Sequence, residues 1–226
     1  MQFHWLNKNN SENLIMFFAG WSFDYKPFEF LDCENCDVLI VYDYNNIYNP
    51  SPQPSPARGE GYKHKTLITW SMGVYAAYKL REFLGDFDKK IAINGTPFPV
   101  DNEFGIPEKP FLLTLRHAKT GLEGKFYQNI FNTSEEFEKY MQNPVERSID
   151  DRVEELYSLY NDIKNSPKEY DKFYDFAFIS KNDKIIPPTN QINFWEEFKT
   201  PYKILESGHF PYYNFKSWKF YESQNY

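Results

Sequence analysis

Long apolar runs are missing from this 226-residue chain, and no window approaches the ~18 apolar residues that a membrane-spanning helix needs. The opening residues, MQFHWLNKNN, hold no apolar stretch of the kind that directs secretion. Both absences point to a cytoplasmic protein without membrane contact. Cysteine is nearly absent. The two that occur, Cys33 and Cys36 in DCENCD, lack the further ligands of a zinc site and precede a strand instead of opening a helix, so the pair reads as incidental. Arginine is scarce, at five residues, and the net charge is −7. That balance offers no basic field for a phosphate backbone, which argues against nucleic-acid binding. Nothing in the pattern calls for a metal or a cofactor.

Aromatic residues are plentiful, with 22 Phe and 18 Tyr. Large rings are then the material of core and pocket, and buried tyrosine hydroxyls need partners. QFHWL alternates and predicts a short edge strand. Continuous apolar runs predict buried strands at residues 14–20 (LIMFFAG), 37–44 (DVLIVYDY), 66–70 (TLITW), 89–94 (KKIAIN), 174–180 (YDFAFIS) and 202–208 (YKILESG). MGVYAAYKLREFLG reads as a helix stopped by glycine. Strands alternating with helices predict an α/β fold with a doubly wound, mostly parallel sheet. Two segments break the rhythm. Prolines at 50, 52, 54 and 56 forbid a helix in NPSPQPSPARGEG, so residues 49–61 read as an extended, mobile loop. Residues 108–172 hold two amphipathic patterns, SEEFEKYMQN and SIDDRVEELYSLYNDIK, the first with a Thr133–Glu136 capping box. They predict a helical cap inserted within one domain that spans the chain.

TLITWSMGV places a serine where a buried strand turns into a helix. Ser71 is either the helix cap or a nucleophile raised on a strained elbow of the type G-x-S-x-G, here with Thr69 in the first glycine position and Gly73 in the second. Partners bear on the choice. In that arrangement the acid and then the histidine follow the serine in the chain. Of four histidines, only His209, in ESGHFPYYN, follows the last strand at the correct sheet edge, where it can act as general base. Asp183, in the loop after the fifth buried strand, is positioned to orient it, with Asp101 as the second choice. An oxyanion hole requires the amide after the nucleophile, Met72, and one from the loop after LIMFFAG, for which Trp21 is the candidate.

LIMFFAGW, LIVYDY, TWSMGVYAA, AINGTPFPVDNEFGIP, SKNDKIIPPTNQINFW and SGHFPYYNFKSW together resemble the BioG-type pimeloyl-[acyl-carrier protein] methyl ester esterases of biotin synthesis, an α/β-hydrolase family. The likeness runs over nearly the whole chain. By matching motif it implies Ser71 as nucleophile, Asp183 as acid, His209 as base, and Trp21 and Met72 as oxyanion donors. It also implies a substrate carried on an acyl carrier protein and released with a free ω-carboxylate. The Pro-rich stretch at residues 49–61 departs from the family pattern. Two rivals stand beside this reading. One is a general short-acyl carboxylesterase or thioesterase with the same triad. The other is a hydrolase scaffold that binds an acyl carrier without turnover.

An acidic carrier meeting an acidic enzyme needs local positive charge, because screening confines the overall repulsion to about 8 Å. Arg116, Lys119, Arg147 and Arg152 are the carrier-binding candidates, with Lys109 and Lys125 nearby. Asp150, Asp151 and Glu154 are interspersed, so the same residues also fit a solvated helix face. The oligomeric state is not legible; a monomer is the working expectation.

Overall fold

A computed structural model describes residues 1–47 and 61–222 of the chain. The elements run β1 (Gln2–Asn7), β2 (Asn13–Phe18), β3 (Asp37–Tyr42), β4 (His64–Trp70), α1 (Met72–Lys79), α2 (Arg81–Leu84), β5 (Lys89–Ile93), α3 (Glu108–Gly121), α4 (Tyr127–Ile130), α5 (Ser134–Gln142), α6 (Ile149–Asn165), β6 (Phe176–Ser180), α7 (Pro188–Glu197), β7 (Tyr202–Leu205) and α8 (Lys219–Glu222). The seven strands form one sheet in the order β1-β3-β2-β4-β5-β6-β7. Every neighbouring pair is parallel except β1 with β3.

The continuous apolar runs became the central strands because both faces of a parallel sheet are covered. All six residues of β3 and the last five of β2 and β4 are buried. Five strands, β2, β3, β5, β6 and β7, are shorter than their apolar runs. β3 stops at Tyr42 because Asp43 turns to φ 59. β7 stops at Leu205, and β6 begins only at Phe176. The expected helix from residue 72 is broken at Leu80 into α1 and α2, and Gly85 ends it at φ 72. The Pro-rich expectation for residues 49–61 lies, Gly61 apart, outside the described residues.

Between β5 and β6 the chain forms α3 to α6. Both helices read from the sequence are there, α5 capped by the Thr133 hydroxyl accepting the Glu136 N–H and α6 by Ser148 accepting the Asp151 N–H. Helix α3 carries no such signal. Pro110 sits in its first turn, where the missing N–H costs nothing. Only Phe111, Leu115 and Ala118 are buried on it, while Leu112 and Leu113 are exposed, Leu113 at the rim of the cavity, and blur the periodicity. Among the described residues no helix is long and apolar enough to cross a membrane.

Candidate active site

Four neighbouring strands, β4 to β7, run parallel, so their carboxyl ends share one edge. Ser71 follows β4 directly, Asp183 follows β6 and His209 follows β7. Separate segments of sequence thereby meet at the place where open α/β sheets bind ligands.

Ser71 does not cap α1: it has no side-chain capping bond, and its backbone sits at φ 56, ψ −124. A non-glycine residue held there is strained, and such strain persists only where the surroundings over-determine it. The Ser71 N–H donates to the Ile93 carbonyl at 3.0 Å. Gly73 is required by packing, because a Cβ there would run into the Phe18 and Ala19 carbonyl oxygens. Thr69 fits the first glycine position of the motif with its hydroxyl donating to the Ile91 carbonyl at 3.0 Å.

The Ser71 Oγ lies 2.9 Å from His209 Nε2, and His209 Nδ1 lies 2.8 Å from Asp183 Oδ2. All three residues are buried. The Asp183 carboxylate is fully engaged. Its Oδ1 accepts the Ile185 and Ile186 N–H groups at 2.8 and 3.0 Å, and its Oδ2 also accepts the Gln191 amide at 3.0 Å. The His209 carbonyl accepts the Trp70 indole N–H at 2.8 Å and the Asn94 amide at 2.9 Å. Asn94 in turn accepts the Ser180 N–H at 2.6 Å, linking the ends of β5 and β6 to the histidine loop. Gln191 and Asn94 carry no sequence signal, since they are ordinary amides, and the partners of Asn94 lie far away in the chain.

The other histidines stand apart from the serine. His4 stacks on Tyr25 and burial lowers its pKa, His64 is exposed beside Asp88, and His117 is exposed on α3. Asp101 is engaged by Lys168 and by the Glu103 and Phe104 N–H groups. Burial would raise its pKa, but these partners outweigh it and hold the carboxyl below the usual range.

A cavity of about 260 Å³ opens over Ser71 and His209. Trp21, Met72 and Phe23 line it from the sheet side, and Phe111, Phe126, Ile130 and Leu156 from the helical insertion. Trp21 and Met72 each present a backbone amide that donates to no protein group among the described residues. The walls are otherwise largely apolar, with Lys184, Asn129 and Thr114 the polar additions.

The positive patch read from the sequence requires correction. Arg147 is 6% exposed and holds Asp43, Asp151 and Glu155 at 3.2, 2.7 and 2.7 Å. Arg152 is 2% exposed and is bound to Glu123 at 2.8 Å and to the Tyr127 hydroxyl at 3.0 Å. Both are internal struts of the insertion and present no charge to a partner. Lys119 is exposed but paired with Asp150 at 2.8 Å, and Arg116 is exposed on α3.

A family model described as pimeloyl-ACP methyl esterase BioG matches residues 1–221. The crystal structure of BioG from Haemophilus influenzae superposes with a TM-score of 0.86 at 31% identity, covering 98% of this chain and 99% of that one. An esterase from Exiguobacterium antarcticum gives 0.70 at 16% identity, over 98% and 92% of the two chains, a likeness of fold alone. Among curated proteins, a malonyl-[acyl-carrier protein] O-methyltransferase of Bacteroides fragilis is 30% identical over 200 residues. That match takes in 87% of this chain but only 39% of the length of the relative. The architecture is therefore the α/β-hydrolase fold expected from the sequence.

Proposed function

Because the chain belongs to the BioG family of pimeloyl-ACP methyl esterases, we propose that it is a serine esterase that removes the methyl group from a carrier-bound pimeloyl methyl ester. The observation that carries this reading is His209 spanning Ser71 Oγ at 2.9 Å and Asp183 Oδ2 at 2.8 Å. His209 Nε2 takes the serine proton as Oγ attacks the ester carbonyl. Asp183 holds the proton on Nδ1 and stabilises the imidazolium that forms. The free Trp21 and Met72 amides receive the oxyanion; one such donor is worth about 10²–10³ in rate. Collapse expels methoxide, which takes the proton from His209 and leaves as methanol. Water, deprotonated by His209, then attacks the acyl-enzyme and frees Ser71 and the ω-carboxylate.

The helical insertion acts as the cap of this site, and its apolar side chains receive the methylene chain. That division of labour supports an extended acyl substrate, whose ester end reaches Ser71 while the carrier stays outside. Neither cofactor nor metal has a part in the chemistry. The test is mass spectrometry of the carrier after reaction with pimeloyl-carrier methyl ester. The expected product has lost its methyl group and kept its thioester. Release of the acyl chain from the carrier would instead identify a thioesterase, and an unchanged carrier would leave only a binding scaffold.

With Arg147 and Arg152 internal, Arg116 is the strongest remaining contact for an acidic carrier, and Lys119 is weaker because Asp150 pairs with it. Arg116→Glu is expected to raise KM for the carrier substrate about fivefold at low salt, through association rate, and to leave a small nitrophenyl ester unaffected. Equal effects on the two substrates, or none on either, would remove α3 from the carrier surface.

A further inference from the structure

The turn that carries Trp21 is held chiefly by the helical insertion. The Trp21 indole N–H donates to the Arg152 carbonyl at 2.7 Å, and the Ser22 N–H donates to Glu155 Oε2 at 3.2 Å. The Tyr127 hydroxyl donates to the Ser22 carbonyl at 3.2 Å and lies 2.9 Å from the Ser22 Oγ. Ser22 itself sits at φ 70, a conformation that is costly without a glycine and must be held from outside.

Glu155 is the centre of that hold. Its side chain is 0% exposed, and Arg147 Nη1 balances its charge at 2.7 Å. Its second oxygen accepts the Tyr44 N–H at 2.9 Å. One carboxylate therefore ties α6 to the turn after β2 and to the turn after β3. A buried charge is expensive, and two backbone N–H groups could be satisfied by neutral acceptors. What the carboxylate adds is two strong, fixed acceptors on one rigid group.

We propose that Glu155 is a positioning residue for the oxyanion hole: it fixes the Trp21–Ser22 peptide and so aims the Trp21 N–H at the reacting carbonyl oxygen. The proposal rests on the reading of Trp21 as an oxyanion donor in a Ser71 esterase. The direction of the Trp21 amide follows from the backbone on both sides of it. Its indole is pinned through Arg152, and the following peptide is pinned through Glu155. Loss of the Glu155 hold on Ser22, with Leu156 of α6 left in place in the cavity wall, would thus be felt at the transition state more than in ground-state binding.

The test uses the full chain and a nitrophenyl butyrate assay. Glu155→Gln keeps the shape but loses the charge facing Arg147 and one of the two acceptors. It is expected to lower kcat about 10²-fold, as for a misaimed catalytic group, with KM held within about threefold. Tyr127→Phe removes the hydroxyl bound to Ser22 and keeps the ring; it is expected to lower kcat about tenfold. Because both act through Ser22, Glu155 on its N–H and Tyr127 on its carbonyl and Oγ, the double variant should lose less than the product of the two. A purely structural role would lower the melting temperature and leave kcat of the folded enzyme unchanged, which would overturn the proposal. Should Glu155→Gln fail to fold, Tyr127→Phe decides alone, and an unchanged kcat overturns it. Ser71→Ala in the same assay separates the two levels. If it is inactive while both other variants turn over normally, the esterase reading stands and the positioning role falls. If it is active, both fall.

Discussion

Ser71→Ala is expected to lower kcat by about 10⁶, on both the carrier-bound ester and a small nitrophenyl ester, while the protein folds normally. The Oγ is bound to His209 Nε2 and makes no capping bond to α1, so its removal deprives the helix of nothing. Alanine at φ 56 bears the same backbone strain as serine, so the elbow is not further burdened. Had the hydroxyl been an N-cap, its loss would cost about 1 kcal/mol of stability and leave turnover intact. The two outcomes are separated by measuring kcat and the denaturant midpoint on the same preparation. Residual activity within about tenfold of the parent would end the serine mechanism.

The three side chains that meet at the sheet edge were legible because their signals are local. Ser71 lies between a buried strand and a small-residue helix, and His209 and Asp183 each follow a strand that reads clearly as apolar. The central strands were legible for the same reason: both faces are covered, so the runs are continuous, whereas β7, expected as buried, is a half-exposed edge strand. What surrounds the three residues was not. Gln191, Asn94 and Glu155 matter through partners 5 to 133 positions away, most of them on other elements. Arg147 and Arg152 dropped out of the positive patch because sequence displays charge but not burial. A warning was present in the spacing. Arg147, Asp151 and Glu155 recur at four-residue steps and fall on one side of the helix start, which favours pairing within the protein over display to a partner. Helix α3 was obscured by a proline that its first turn tolerates, and α7 by the PP pair that opens it.

Asp183→Asn is expected to lower kcat by about 10⁴ with KM nearly unchanged, because it installs the wrong histidine tautomer. The geometry dictates which way the new amide faces. Asp183 Oδ1 accepts two backbone N–H groups, from Ile185 and Ile186, at 2.8 and 3.0 Å. The asparagine carbonyl must take that side, since an NH₂ there would face two donors. Its NH₂ then faces His209 Nδ1, which has to become an acceptor. The ring proton moves to Nε2 and points at the Ser71 Oγ, so the imidazole cannot remove the serine proton. The same NH₂ also meets the Gln191 amide, which now donates to Asp183 Oδ2 at 3.0 Å. Gln191 Oε1 has no partner among the described residues, so a flip of that side chain would offer an acceptor. The flip gives up the Gln191 bond to the Ile186 carbonyl at 2.9 Å, and so it locks the wrong arrangement in place instead of repairing it. Asp101→Asn is the control. It weakens a half-exposed pair with Lys168 remote from the histidine, and kcat should stay within about threefold. Steady-state kinetics on a small ester decide the matter: a larger loss from Asp101→Asn than from Asp183→Asn would transfer the orienting role to Asp101.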